Sequence, residues 1–208
     1  MQLTNYYWYF DNILPKFFCN QLIKYGNSLK EKQALTVGLK DEDVKDDKKM
    51  KDLKKVRNSN IVWMSGSWLY DELFRYINIA NRNAGWNYQW DWAEECQFTK
   101  YKLNQFYHWH RDAGAKPYGK EKGNLEGKSR KLSMIVQLSD PRDYEGGEVE
   151  FDFNDNPPGT KSTQVVAEEI QPQGSLLVFP GFVWHRVKPV TSGTRYSLVM
   201  WCCGKPFQ

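Results

Sequence analysis

The second half of the chain is broken into short segments, and this limits its folds more than anything else in the sequence. Residues 97–101, 131–138, 148–153, 164–170, 175–179 and 195–201 are each rich in β-branched and aromatic side chains, with Gly, Pro, Asn and Asp clusters between them. Segments this short, joined by turns, predict antiparallel strands. With six of them, a double-sheet jelly roll or a barrel is the natural closure, because either limits exposed edges.

Before residue 85 the periodicity is helical. Pro15, then Phe18, Leu22 and Tyr25 on one face, with Gly26 as a stop, predict a short helix. A second runs from Ser67, which can cap it, to Gly85, with Leu69, Leu73, Ile77 and Ala80 at helical spacing and Asp71 and Glu72 in its first turns. Between the helices, residues 40–57 carry eight basic and six acidic side chains. That leaves little to bury, so the segment reads as a solvated loop or frayed helix, with a substrate-facing flap as the alternative. Two long polar loops, 113–129 and 154–163, have the length of lids or disordered segments. No internal repeat is found, so the expected organisation is one domain over 1–208. In it a helical support region, 1–95, carries the charged loop 40–57, and 96–203 forms the core.

Several classes are excluded at once. No apolar run approaches the ~20 residues needed to cross a bilayer, and the first residues lack the basic and apolar regions of a secretory signal. A soluble cytoplasmic protein is expected. The four cysteines form no C-x-x-C pair and read as reduced thiols. A net charge of +4 from 29 basic and 25 acidic residues argues against a nucleic-acid partner.

The candidate chemistry sits where the histidines are. There are three: His108, His110 and His185. In an extended segment His110 and Asp112 share a face, and His185 ends a predicted strand. Two imidazoles and one carboxylate with open positions left over form the facial triad of non-haem Fe(II) oxygenases. His108 shares the predicted face of His110 and competes with it. It otherwise serves as a lid residue or a support to the ligands.

Four segments carry a family resemblance over residues 57–201. The first holds Tyr101, Gln105 and Tyr107 nine, five and three residues before His110, and reaches Asp112. The second is Arg130-Lys-Leu-Ser-Met-Ile-Val-Gln-Leu-Ser-Asp-Pro141, and the third is Tyr144-Glu-Gly-Gly-Glu-Val-Glu-Phe151. The fourth is Gly174-Ser-Leu-Leu-Val-Phe-Pro180, with His185 followed ten residues later by Arg195. In this order and spacing the chain resembles the Fe(II)- and 2-oxoglutarate-dependent dioxygenases, and within them the prolyl 4-hydroxylase-like group. The resemblance implies an α+β, mainly β fold: a double-stranded β-helix (jelly-roll) core with N-terminal helices packed on one sheet. It also implies Fe(II) on His110, Asp112 and His185, 2-oxoglutarate and O2 as co-substrates, and ascorbate as an accessory reductant. Arg195 would grip the far carboxylate of 2-oxoglutarate, helped by the Tyr101 phenol. The implied reaction couples oxidative decarboxylation of 2-oxoglutarate to succinate and CO2 with hydroxylation of a substrate C–H bond. Related halogenases replace the carboxylate ligand with a small residue, so Asp112 points to hydroxylation. Two positions depart from the pattern: Asn104 stands where the family usually has Gly, and Arg195 where animal collagen prolyl hydroxylases use Lys.

Spacing adds a hairpin turn at residues 189–193, which would return Arg195 beside the strand end holding His185. Gln137, polar amid Leu132, Met134, Ile135, Val136 and Leu138, is read either as facing a polar cavity with 2-oxoglutarate or as lying on a solvated face. Tyr107, Trp109, Phe182 and Trp184 flank the ligands and suit a prolyl ring, or simply pack in the core. The expected partner is a peptide or protein, with a small molecule as the other option. Two further readings stay open: a cupin-type metal protein, from His108-Trp-His110, and a same-superfamily oxygenase acting on a nucleic-acid base.

Overall fold

The computed structural model describes residues 3–36, 43, 45–154, 158 and 164–207. In chain order it contains β1 (Trp8–Phe10), α1 (Lys16–Ser28), β2 (Lys32–Gln33), α2 (Asp47–Val56), β3 (Arg57–Asn58), β4 (Asn60–Met64), α3 (Ser67–Asn83), β5 (Trp92–Ala93), β6 (Cys96–Tyr101) and β7 (Phe106–His110). There follow β8 (Ser129–Gln137), β9 (Tyr144–Gly146), β10 (Val149–Asp152), β11 (Gln164–Val166), β12 (Leu176–Pro180), β13 (Trp184–Val187), β14 (Val190–Gly193) and β15 (Arg195–Gly204).

Eight strands form the larger sheet, in the order β1-β12-β8-β15-β6-β4-β2 with β5 paired to β15, and five form the smaller, β11-β10-β13-β7-β3. Strands β14 and β9 make a separate ladder. Every pairing among the described residues is antiparallel. This is the jelly-roll architecture the sequence resemblance implies.

Strand alternation explains why both faces of the larger sheet are covered. Leu132, Met134 and Val136 of β8, with Leu198 and Met200 of β15, pack against Leu22 of α1 and Leu69, Leu73 and Ile77 of α3 in one apolar cluster. Ile135, between them on β8, points the other way and joins Phe151, Leu177, Phe179 and Val187 between the sheets. Each fully buried aliphatic side chain contributes roughly 1.5–3 kcal/mol. The two helices therefore clamp one face and leave the other to the site.

Local details differ from the sequence expectation for identifiable reasons. Helix α1 continues past Gly26 to Ser28. A Cβ on Gly26 would lie 2.6 Å from the Phe98 ring, so this glycine permits close packing rather than stopping the helix. Gly66, not Ser67, occupies the cap of α3. The first 95 residues supply five strands as well as helices. Within the charged segment, Asp46 caps α2 by accepting from Lys48 N and Lys49 N at 3.0 Å, and Leu53 is buried. Helix α2 packs beside β3 and β7. Residues 37–42 and 44 of this region lie outside the described residues, as does nearly all of loop 154–163. Loop 113–129 contains a 3-10 turn, Lys120–Leu125, and closes on itself through Tyr118 N to Lys128 O and Gly127 N to Tyr118 O, both 2.9 Å. No helix among the described residues is long and apolar enough to cross a membrane.

Candidate metal centre

The smaller sheet brings the chemistry-bearing residues together. His110 of β7 and His185 of β13 are cross-strand partners, and Asp112 follows two residues after the end of β7. The metal-ligating atoms of His110, Asp112 and His185 all lie within 4.8 Å of one another, a cluster that could hold a metal ion. His110 Nε2 is 3.7 Å from Asp112 Oδ1, and His185 Nε2 is 3.6 Å from Asp112 Oδ2.

Backbone carbonyls fix the tautomers. His110 Nδ1 lies 2.8 Å from His108 O and His185 Nδ1 lies 3.0 Å from Val183 O. A carbonyl only accepts, so each Nδ1 carries the hydrogen and each Nε2 offers its lone pair to the centre. Burial, then the neighbouring His185, holds the His110 imidazole well below its usual pKa. Burial alone would raise the Asp112 carboxyl. His185, His110, Arg130 and a hydrogen bond from Ser133 Oγ at 2.7 Å outweigh it and bring the pKa down to about 2. Neutral imidazoles and an ionised carboxylate are the states a divalent ion requires.

A β-bulge decides which histidine faces inward. His185 pairs with His110 and Val187 with Tyr107, so β7 spends one residue more than β13 over the same interval. Tyr107 and His110 thereby face the same way, their rings stacked at 3.5 Å. His108 is exposed, and its Nδ1 accepts from Trp109 N at 2.8 Å. Trp109 and Trp184 lie on the outer face of the smaller sheet, where the Arg186 and Arg111 guanidinium groups sit 4.7 and 4.8 Å from their ring centroids. Counting by twos along β7 fails at the extra residue. In β13 the alternation that buries His185 against Phe151 turns Trp184 outward.

The larger sheet supplies the facing wall. Arg195 is 2% exposed, pairs with Tyr101 across β15 and β6, and has its Cζ 5.7 Å from the Tyr101 ring. Its Nη1 is buried with no hydrogen-bond partner. A side chain at Gly147, where φ is +67°, would meet Arg195 Cδ at 2.9 Å, so the Gly-Gly turn makes room for the guanidinium. Asn104, the departure from Gly, adopts a left-handed φ of 61°, which Asn tolerates better than most residues. Residues 189–193 do not form a hairpin between the His185 and Arg195 strands. Val190–Gly193 make β14, paired to β9, and the segment carries the chain from one sheet to the other. Arg195 therefore belongs to the opposite sheet from His185. Gln137 is 1% exposed, which excludes a solvated face. Its Nε2 donates to Tyr144 Oη at 2.8 Å and to Ser139 O at 3.3 Å.

Two residues near the centre were not anticipated. Ser133 was legible in principle, since it shares the inward parity of Ile135 and Gln137 and interrupts the apolar run Leu132 to Val136. Arg57 was hidden at the end of the charged run. It is buried, its guanidinium lies 4.3 Å from the Tyr107 ring centroid, and its Nη2 donates to Gln97 Oε1 at 2.6 Å.

A jelly roll holding a His-x-Asp…His cluster between its sheets, opposite a buried arginine, defines a mononuclear non-haem metal oxygenase type of protein. Residues 96–203 match the 2OG-Fe(II) oxygenase superfamily, more than half of the chain, and the protein belongs to that superfamily. Its members use Fe(II), 2-oxoglutarate and O2. The chain is 33% identical over 104 residues to a PKHD-type hydroxylase of Xanthomonas axonopodis pv. citri, covering 50% of this chain and 41% of the relative. It is 36% identical over 80 residues to one from Pseudomonas fluorescens, covering 38% and 31%. The chain thus matches less than half the length of these relatives. Among solved structures, a Pseudomonas putida prolyl-4-hydroxylase superposes with TM-score 0.65 at 20% identity, covering 98% of this chain and 95% of that one. The viral collagen prolyl hydroxylase of Paramecium Bursaria Chlorella virus-1, in its 2OG complex, gives 0.63 at 19%, covering 97% of each chain. A Trichoplax adhaerens prolyl hydroxylase with a hypoxia inducible factor peptide gives 0.63 at 18%, covering 96% and 84%. These structural likenesses establish the fold.

Proposed function

We propose that the protein is an Fe(II)- and 2-oxoglutarate-dependent dioxygenase that hydroxylates a prolyl residue in a peptide or protein. One observation carries the reading: two Nε2 lone pairs and a carboxylate converge across the jelly roll from a buried guanidinium whose Nη1 has no partner. His110, Asp112 and His185 hold the metal. Arg195 takes the far carboxylate of 2-oxoglutarate, since an orphaned buried cation is stabilised by an anion and a guanidinium matches a carboxylate bidentately. The Tyr101 phenol adds a donor to the same carboxylate. Gln137 acts one step back by orienting the Tyr144 hydroxyl. When bound, Fe(II) and 2-oxoglutarate supply O2 activation, with decarboxylation to succinate and CO2.

The chain's own residues bind, orient and exclude water. Ser133 fixes one Asp112 oxygen and leaves the other for the metal. Tyr107, stacked on His110, walls the prolyl side. Trp109, Trp184 and the exposed His108 lie outside the cavity and take no part in it. The prolyl assignment follows the relatives' chemistry and this aromatic wall. Incubation with Fe(II), 2-oxoglutarate and ascorbate should yield succinate together with a peptide product heavier by one oxygen atom, both lost in Asp112→Ala. Succinate production coupled only to oxidation of a small molecule would refute the prolyl reading. Wild-type turnover in Asp112→Ala would refute the metal assignment.

A further inference from the structure

One buried cation has no part in the reaction proposed above. Cys202 of β15 pairs with Leu132 and Cys203 with Arg130, so Lys131 is the extra residue of β8 at a bulge. It is 4% exposed. Among the described residues no carboxylate and no hydrogen-bond acceptor meets its ammonium, whose Nζ instead lies 3.3 Å from the centre of the Phe207 ring. Burial lowers the Lys131 pKa. A ring face offsets only part of the cost of desolvating a cation, and an anion beside it would offset the rest.

Lys131 lines a groove of about 680 Å³ bounded by residues 87–91 and 204–207. Tyr88, Trp90 and Phe207 give it aromatic walls; Phe207 is 45% exposed and stands edge-on to Tyr88, with ring centroids 4.7 Å apart. The Tyr88 hydroxyl is buried and has no hydrogen-bond partner. Burial raises its pKa, so the phenol keeps its proton and can donate. An unpaired ammonium and a tyrosine with an unpaired hydroxyl thus pack against one phenylalanine ring. The one carboxylate lining the groove among the described residues, Asp91, is held by Lys128 at 2.6 Å. Lys205, exposed at the edge, adds a second cation.

We infer that this groove is a second ligand site, one that takes an organic monocarboxylate with an aromatic or apolar body. The carboxylate bonds to Lys131 Nζ and the Tyr88 hydroxyl, and the body lies against Phe207 and Trp90. The chemistry of the lining selects this class. Two donors serve two oxygens, the surplus positive charge requires an anion, and the rings cover an apolar body. A phosphate would be poorly served, because no guanidinium is among the described lining residues. The site shares no residue with the metal centre and holds for any substrate of that centre.

The test is calorimetric titration of phenylacetate into the full chain loaded with Mn(II) and saturating 2-oxoglutarate, so that the co-substrate position is filled. Phenylacetate should bind saturably at one site, the neutral phenylacetamide about tenfold more weakly, and the phenylacetate affinity should fall as NaCl rises. Lys131→Met should weaken phenylacetate by at least about tenfold, through loss of a charge-assisted hydrogen bond. Lys131→Arg should keep the affinity within a few-fold, and Tyr88→Phe should reduce it about three- to tenfold. Circular dichroism and 2-oxoglutarate affinity should be unchanged in all three variants, which makes the loss local; if Lys131→Met does not fold, Tyr88→Phe decides the same question. No saturable binding, equal affinity for phenylacetate and phenylacetamide, or affinity untouched by Lys131→Met and Tyr88→Phe overturns the site. Tighter binding of phenyl phosphate than of phenylacetate refutes the carboxylate class. Binding that survives Lys131→Met but is lost in Arg195→Met places the probe at the co-substrate position and overturns the inference as well.

Discussion

Replacing Arg195 by methionine isolates the co-substrate contact. The side chain is 2% exposed, its Nη1 is unpartnered, and methionine keeps most of its length without the charge. In the wild type, 2-oxoglutarate at about one hundred times its Kd, with Mn(II) to block turnover, should stabilise the fold by ~2.7 kcal/mol. For a domain of this size each kcal/mol moves Tm by about 2–4 °C, so scanning calorimetry should record a rise of roughly 5–10 °C. Losing one partner of a buried charge pair costs about 2–5 kcal/mol, or ~30-fold to several thousand-fold in affinity. At the same 2-oxoglutarate concentration the variant should then gain less than ~1 kcal/mol, a shift of at most about 3 °C. Mn(II) alone should still raise its Tm, because the triad is untouched. A methionine variant with the full 2-oxoglutarate shift would remove Arg195 from the co-substrate site.

Three more perturbations follow from specific contacts. Ser133→Ala deletes the hydrogen bond that holds Asp112 Oδ2 and should weaken Fe(II) affinity by about 10–100-fold, read by metal titration; unaltered affinity would show that Asp112 is positioned without it. Glu94→Gln breaks a buried pair with Arg130, whose contacts are 2.6 and 2.7 Å, and should cost ~3–5 kcal/mol in urea unfolding. Burial raises the Glu94 pKa, but Arg130 and the Tyr118 and Cys203 hydrogen bonds outweigh it, so the folded-state value lies below the usual 4.5. The unfolded state therefore binds the proton more tightly, and the contribution is full above 4.5 and lost as pH falls through the folded value. The gap between wild type and Glu94→Gln should accordingly narrow in acid. Gly26→Ala drives a methyl to 2.6 Å from the Phe98 ring and should cost about 1–3 kcal/mol by chemical denaturation; a neutral effect would mean the ring yields freely.

The parts of the fold legible in the sequence are those with enough residues to show a period. Strands β8 and β15 run nine and ten residues, and α3 repeats Leu69, Leu73, Ile77 and Ala80 on its buried face. Strands β2, β3 and β5 have two residues each, too few for any alternation, and their pairing is imposed by longer neighbours. Helix α2 was legible only as one of two alternatives, loop or frayed helix, for a different reason: it buries only Leu53 and depends on the Asp46 cap. Within the site, His110, Asp112 and His185 were legible because histidine is scarce and their spacing is distinctive. The outward placement of His108 was not, because it depends on a backbone irregularity. Arg57 reads as one more charge in a charged run until β3 pairs with β7 and lays it over Tyr107.

The extra residue in β7 makes position 108 a spacer between Tyr107 and His110 rather than a member of the strand's alternation. Position 108 can change its side chain freely, since it projects into solvent. Removing this residue would leave two steps in β7 against two in β13, and ordinary alternation would still put Tyr107 and His110 on one face. Substituting this histidine and deleting it should therefore both leave the Tyr107–His110 stack in place.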